Sequence, residues 1–272
     1  MDRMLLEFGS ISITWYGFTM AGGFLTCMFI WAKLAPYDGR EKEVSSTIAF
    51  WVMFCGILGA RLAYVIADWG HYAGHPQEIF QVWEGGVIYY GGFIGASLSI
   101  IVLSIINRDK GKLSFYDLAI TPIPLGHALG RFGCYMNGCC YGSPTEGPFG
   151  VSYPRGSFPY TDQLQAELIG ADAMKSLPVY PVQLFEAGLN VLLFAVLFYI
   201  FNRRTRNGTN LAIYLMSYPI IRFSMEFMRG DARQTLGGSE LHIAQAISIS
   251  LFIAGIIIWI KRPKRDKPAA AA

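Results

Sequence analysis

Gly126-His127-Ala128-Leu129-Gly130-Arg131-Phe132-Gly133-Cys134-Tyr135-Met136-Asn137-Gly138-Cys139-Cys140-Tyr141-Gly142 closes a largely apolar segment that begins near Asp117. It holds five glycines, three cysteines, an arginine and an asparagine, a set that no lipid-facing helix would choose. His127 and Arg131 stand at i, i+4 and so share one helix face. Pro122 and Pro124, just upstream, remove backbone donors and bend a helix. Broken helices at membrane depth occur where they line a cavity or pack within protein, so this stretch handles something polar.

The rest of the chain makes the surroundings a membrane. Of 272 residues, 53% are hydrophobic and only 15% charged, with a mean hydropathy of +0.37. A crossing helix needs about 20 mostly apolar residues, and seven segments qualify: 13–35, 45–67, 86–106, 115–137, 178–201, 209–228 and 241–260. The basic residues orient them. Lys33, Arg40, Lys42, Arg108, Lys110, Lys112, Arg203, Arg204, Arg206 and the cluster from Lys261 to Lys267 fall on one side. Only Arg3, Arg155, Lys175, Arg229 and Arg233 fall on the other. The positive-inside rule then puts the N-terminus in the periplasm and the C-terminus in the cytoplasm. The predicted fold is an all-α integral membrane protein with seven transmembrane helices and no cleavable signal peptide. It is one polytopic domain over 1–261, with a periplasmic arm at 1–12, a small periplasmic head or lid at about 142–177, and a basic cytoplasmic tail at 262–272.

Arg61, Arg131 and Arg222 belong to neither side of the charge map, because they sit within the spans. A charge at that depth costs at least ~2.5–3.5 kcal/mol and normally faces a partner or a wet cavity. In the sixth span Tyr218, Arg222, Glu226 and Arg229 are spaced 4, 4 and 3, so they align on one side of a helix. An ion-pair ladder between Arg222 and Glu226 accounts for part of that stripe; a water-accessible, anion-friendly cavity accounts for all of it. Gln183, Glu186 and Asn190 lie on one face of the fifth span. Arg61, followed one turn on by Tyr64, is equally readable as a structural cation or as a substrate-binding one. Tyr16 opens the first span beside Trp15, which serves as an interface anchor, and Tyr90 stands among paired glycines. His71 and His75 lie in a Gly- and Pro-containing loop and are expected to be solvated. No metal and no cofactor are expected.

Guanidinium is permanently charged and offers a fork of donors that matches phosphate oxygens. Arg131 and Arg222 near an outer leaflet therefore suggest a phospholipid headgroup, and the tyrosines at 16, 90 and 218 can hydrogen-bond or move protons there.

An ordered set of motifs carries a resemblance over residues 15 to about 260. WYG stands at 15–17, GAR at 59–61, EGG at 84–86, YGG at 90–92, GRFG at 130–133, NG at 137–138 and YGSPT at 141–145. YPVQLFE follows at 180–186 and YPIIRFSMEFMRG at 218–230. Together these resemble the phosphatidylglycerol–prolipoprotein diacylglyceryl transferases of bacterial lipoprotein maturation. The resemblance implies a multi-pass enzyme of the bacterial inner membrane, active toward the periplasmic side. It would move the diacylglyceryl group of phosphatidylglycerol onto the lipobox cysteine thiol of a prolipoprotein, forming a thioether and releasing glycerol phosphate. Its partners would be these two substrates and membrane lipids, with no nucleic acid, and a monomer is expected. By position, Arg131 and Arg222 would clamp phosphate, and Tyr90 would stand where relatives have a proposed base. Tyr16, Asn137, Gly142, Tyr218 and Glu226 would complete the pocket, with Arg61, Gln183, Glu186 and Arg229 as further substrate-binding candidates.

The sequence departs from that pattern at two positions. Cys134 stands where many relatives have Asn, and Cys139 where an acidic residue is common. The competing class is a membrane thiol–disulfide oxidoreductase built on Cys134, Cys139 and Cys140, although the chain has no CxxC and such a reading leaves the arginines unexplained. A transporter would predict internal repeats, and none are found.

Overall fold

Helices form within each of the seven apolar segments. The computed structural model of the chain describes residues 4–8, 11–81, 85–106, 112–230 and 243–264. Arg3, Glu84, Arg108, Lys110, Arg233 and the basic tail beyond Lys264 lie outside these residues. The N-terminal arm is an antiparallel hairpin, β1 (Met4–Phe8) and β2 (Ile11–Thr14), a small strand element that the helical expectation did not include. It leads into α1 (Trp15–Leu34), α2 (Val44–Ala67), the single turn α3 (Trp69–Tyr72) and α4 (Tyr89–Ile106). Next come α5 (Lys112–Ile120), α6 (Ile123–Asn137) and α7 (Phe158–Gln165). The chain ends on α8 (Val182–Phe201), α9 (Thr209–Glu226) and α10 (Ile243–Lys261).

Among the described residues four stretches are long and apolar enough to cross a membrane: Trp15–Asp38, Val44–Ala67, Val182–Phe201 and Ala244–Lys261. Tyr90–Ile106 is apolar but shorter. The fourth predicted span is interrupted at Thr121 and Pro122, and the sixth carries Asn210, Pro219, Arg222 and Glu226. Surface and interior are inverted relative to a water-soluble protein. Phe29, Ile66, Leu192 and Ile260 are between 64% and 73% exposed, whereas Asp117, Thr121, Gln183, Glu186, Asn190 and Asn210 are buried. That arrangement suits helices bathed in lipid, where apolar side chains face out and polar groups must find partners within. The chain is a mostly helical, multi-pass membrane protein.

The described residues pack as two units, one built from the chain up to Cys27 and from Ile120 onward, the other from Met28–Ala119. In the second unit α2 and α4 meet backbone to backbone. A Cβ on Gly59 would come within 3.2 Å of the Gly95 Cα and closer still to the Gly91 carbonyl oxygen, so only glycine permits this approach.

In the first unit the quoted stretch explains its own glycines. Gly126, Gly130 and Gly133 recur on one face of α6 and lie against Cys27, Met20 and Tyr16 of α1. α6 packs on α8, α8 on α9 and α9 on α10. The break before α6 is sealed by side chains: Cys27 donates to the Pro122 carbonyl at 3.4 Å, and the fully buried Asn210 donates to Thr121 Oγ1 and to the Leu197 carbonyl, each at 2.8 Å.

Between α6 and α8 the chain folds into a small bridged segment. Antiparallel bridges join Pro144 and Val151 to Val179, and Pro154 to Lys175. Tyr141, Tyr153 and Val179 form its core. Ser157 caps α7 by accepting from the Tyr160 amide. Gln163 clasps Leu177, whose amide donates to Gln163 Oε1 at 2.7 Å.

Candidate active site

The glycine stripe of α6 is taken up by α1, so the next face round, bearing His127 and Arg131, is turned to other helices. Arg131 Nε donates to His127 Nε2 at 3.1 Å and lies 3.1 Å from Glu186 Oε2 of α8. Because His127 Nε2 accepts that bond, its proton sits on Nδ1 and the imidazole is neutral. His127 Nε2 also lies 3.4 Å from Glu186 Oε1, which accepts no hydrogen bond. Glu186 is 1% exposed, so its charge is neutralised by Arg131 and not by water. Among the described residues, the hydrogen bond and the ion pair of Arg131 both run through Nε. Its two Nη groups make no hydrogen bond among the described residues and remain available to a ligand.

α9 supplies the second half. Tyr218, Arg222 and Glu226 do share a face, and Arg222 Nη1 lies 2.6 Å from Glu226 Oε2. The angles of that contact do not make a hydrogen bond, so it is a charge pair only. Glu226 is buried, while the side chain of Arg222 keeps 18% of its surface open. The Tyr218 ring stacks on Tyr214 and lies 5.2 Å from the His127 ring, which joins the two halves. Three helices thus bring together Arg131, Glu186, His127, Tyr218, Arg222 and Glu226. Two cations face two anions, and among the described residues each guanidinium keeps donors without a hydrogen-bond partner. His127 was absent from the predicted site, although its i, i+4 spacing to Arg131 was visible.

The end of α6 carries the remaining candidates. The helix stops at Gly138, whose φ of 77° turns the chain and returns the Gly138 and Cys139 amides to the Tyr135 and Cys134 carbonyls. This cap folds Cys139 and Cys140 back over Cys134. Asn137 lies against the Cys139 thiol, and Tyr16 is within electrostatic reach of all three cysteines and of Arg131. Hydrogen bonds from the Cys134 and Cys139 thiols, helped by the Arg229 and Arg131 guanidiniums, hold Cys140 well below the ordinary thiol range despite burial. Gln183 is engaged as a tether: its amide donates to the Cys139 carbonyl at 2.8 Å and to the Tyr153 hydroxyl at 3.4 Å. Burial pushes the Tyr153 hydroxyl above the usual phenol range, so it meets Gln183 uncharged.

Gly142 sits where three chain segments cross. Its amide donates to the Tyr180 carbonyl at 2.9 Å, and it bridges Arg229 beyond α9. A Cβ there would stand 2.7 Å from both the Tyr180 carbonyl oxygen and Val182 Cγ2. Its evident task is to let the ends of α6, α8 and α9 be tied together.

Arg61 and Tyr90 belong to the other unit. Arg61 is held by main-chain carbonyls of the segment between α3 and α4. Nε donates to the Ile79 carbonyl at 2.9 Å, Nη1 to Gly85 and Gly86 at 2.7 and 3.0 Å, and Nη2 to Glu78. Tyr64 and Tyr72 flank the guanidinium, and the residue is 5% exposed. Tyr90 lies in the first turn of α4, 42% exposed. His71 and Glu78 pair at 2.7 Å at the surface, with His75 stacked on His71.

A buried cluster of paired charges inside a lipid-facing bundle is suited to an anionic headgroup. Comparison with known proteins identifies the family. The family described as prolipoprotein diacylglyceryl transferase matches residues 3–261. A protein of Finegoldia magna named phosphatidylglycerol–prolipoprotein diacylglyceryl transferase is 32% identical over 266 residues, 97% of each chain. Proteins of the same name from Lactobacillus acidophilus and Cupriavidus metallidurans are 31% and 30% identical, covering 98% and 100% of this chain and 92% and 97% of theirs. The thiol–disulfide alternative finds no support, since these relatives are named as transferases. On the near-complete match of its length, the chain belongs to the prolipoprotein diacylglyceryl transferase family.

Proposed function

We propose that this protein transfers the diacylglyceryl group of phosphatidylglycerol to the lipobox cysteine thiol of prolipoproteins. A sulfur–carbon bond forms at the glyceryl carbon that carries the phosphate. The carbon–oxygen bond there breaks, and glycerol phosphate leaves with the electron pair. The observation that carries this reading is the paired cluster of α6, α8 and α9, where Arg131 and Arg222 are each held by a carboxylate through one edge only. Their open N–H groups would grip the phosphodiester and neutralise charge as it collects on the departing oxygen. Glu186 and Glu226 orient the guanidiniums, His127 steadies Arg131, and Tyr218 adds a hydroxyl at the junction. Tyr16, Asn137 and Arg229 border the cluster. On the family resemblance alone, Tyr90 would receive the proton of the attacking thiol; Gln183 and Gly142 tie the ends of α6, α8 and α9, and Arg61 anchors the segment before α4.

The chain would cross seven times, although among the described residues four stretches meet the full length and hydropathy of a span. Lipid-side contacts and neighbouring helices would carry the shorter α4, the broken α5–α6 segment and the polar α9. The chain would also have a periplasmic N-terminus, a cytoplasmic C-terminus, one polytopic domain over 1–261 and a site facing the periplasm. The protein would be a monomer in the inner membrane. The test is direct: purified protein, phosphatidylglycerol and a lipobox peptide should yield peptide heavier by one diacylglyceryl group, and a peptide with Ser for the lipobox Cys should stay unmodified. Absence of that product from protein that is folded and supplied with both substrates would refute the function.

A further inference from the structure

The three thiols at the end of α6 are more than departures from a motif. The Sγ atoms of Cys134, Cys139 and Cys140 all lie within 4.8 Å of one another, and all three residues are partly buried free thiols. A zinc ion bound through bonds of about 2.3 Å holds its sulfurs about 3.8 Å apart, so the triad needs to close by no more than about an ångström. The backbone is bent to present them. Gly138 adopts φ 77° as the cap of α6, and Cys140 adopts φ 59°, a conformation that residues with a side chain rarely take. Such outliers gather at ligand clamps. No other cysteine, histidine or carboxylate among the described residues joins the group, so the set is three sulfurs with a fourth position left over.

We propose that Cys134, Cys139 and Cys140 bind a zinc ion whose open fourth position takes the thiol of the lipobox cysteine and presents it to the lipid. Zinc sites with three protein ligands and one open position are catalytic in type, and a thiol that coordinates zinc is deprotonated. The cluster is well placed for this, because Cys134 lies one turn from Arg131 and Cys140 is within electrostatic reach of Arg131 and Arg229. This rests on the proposed transfer and supplies the thiol activation that a tyrosine alone performs poorly. The three protein thiols lose their protons when zinc loads. The lipobox thiol loses its proton to water on joining the metal. The thiolate forms the sulfur–carbon bond, the phosphate oxygen leaves with the electron pair of the broken carbon–oxygen bond, and the proton ends on glycerol phosphate or in water. The thioether is a weak ligand and departs, which reopens the fourth position. Zinc keeps its oxidation state throughout.

The full chain in detergent, loaded with zinc sulfate and freed of excess metal, should hold one zinc per chain with a shell of three sulfurs by X-ray absorption. Cys134→Ser, Cys139→Ser and Cys140→Ser should each lose it. Adding a lipobox peptide without lipid should bring a fourth sulfur into the shell, a readout independent of catalysis. A free thiol of pKa about 8.5 is only about 3% ionised near pH 7. Stripping the metal should therefore slow transfer by up to about 30-fold there, with the deficit nearly closed by about pH 9. A chain that binds no zinc through sulfur, or whose triple Ser variant transfers lipid with the parental pH profile, overturns the zinc site and leaves the transferase standing. Zinc bound by the three cysteines and joined by the peptide sulfur, with no lipid transferred, supports the site and refutes the transferase. Neither binding nor transfer refutes both.

Discussion

Replacing Arg131 with lysine separates the geometry of the proposed phosphate clamp from its charge. In the parent, Nε alone serves His127 and Glu186, at 3.1 Å each, and both Nη groups are left for the substrate. Lysine offers one ammonium in place of a planar fork, so it can stay with Glu186 or reach the phosphate but cannot clamp bidentately. Losing two charge-assisted hydrogen bonds at about 1.5 kcal/mol each, the low end of their range, raises the barrier by about 3 kcal/mol. At 1.36 kcal/mol per decade this lowers kcat/KM about 150-fold. Stability should barely move, because Glu186, 1% exposed, still has a cation beside it. Arg131→Ala would confound the test, since stranding that carboxylate costs about 3–5 kcal/mol. The assay follows diacylglyceryl addition to a lipobox peptide by mass, alongside a thermal melt of each variant. Parental kcat/KM in Arg131→Lys would refute the clamp, as would a loss of rate matched by an equal loss of folded protein.

Arg222→Ala should lower transfer by at least about 100-fold in the same assay, the loss typical of removing a donor that stabilises developing charge. Arg61→Gln should leave the chemistry intact in protein that stays folded. It should lower the melting temperature and open residues 76–81 to protease, because the clasp on the carbonyls of Glu78, Ile79, Gly85 and Gly86 is gone; unchanged proteolysis would mean the clasp is dispensable. Gly142→Ala should destabilise the fold by about 1–3 kcal/mol, the usual cost of overpacking, since its Cβ meets backbone at 2.7 Å. A melt equal to the parent's would show that the crossing can relax.

The site was legible in proportion to how local its geometry is. Tyr218, Arg222 and Glu226 could be aligned from spacing alone, because a helix fixes which residues share a face. His127 and Arg131 were equally visible as a pair, but the weight of His127 depends on Glu186, which is distant in sequence and reaches it only when α6 packs on α8. The break in the fourth span was announced by Pro122 and Pro124. Its repair by Asn210 and Cys27 was not, since nothing in the sequence says which buried amide will meet which orphan carbonyl. Arg61 was ambiguous because its partners are main-chain carbonyls, which carry no residue signature. The hairpin before α1 was missed for a related reason: two strands of five and four residues leave too short an alternation to read.

The pairing of two arginines with two glutamates also governs how a turnover would end. Empty, these two pairs balance their own charge and can rest in the membrane interior. A phosphodiester brings one negative charge, which the open guanidinium edges accept. Glycerol phosphate, leaving with the electron pair of the broken bond, carries two, and Glu186 and Glu226 then stand as fixed anions beside a dianion. The cluster is thus a better host for its substrate than for its product, and ejection is built into the resting charge. Added glycerol phosphate should inhibit the parent weakly and Glu186→Gln more strongly; equal inhibition of the two would rule this out.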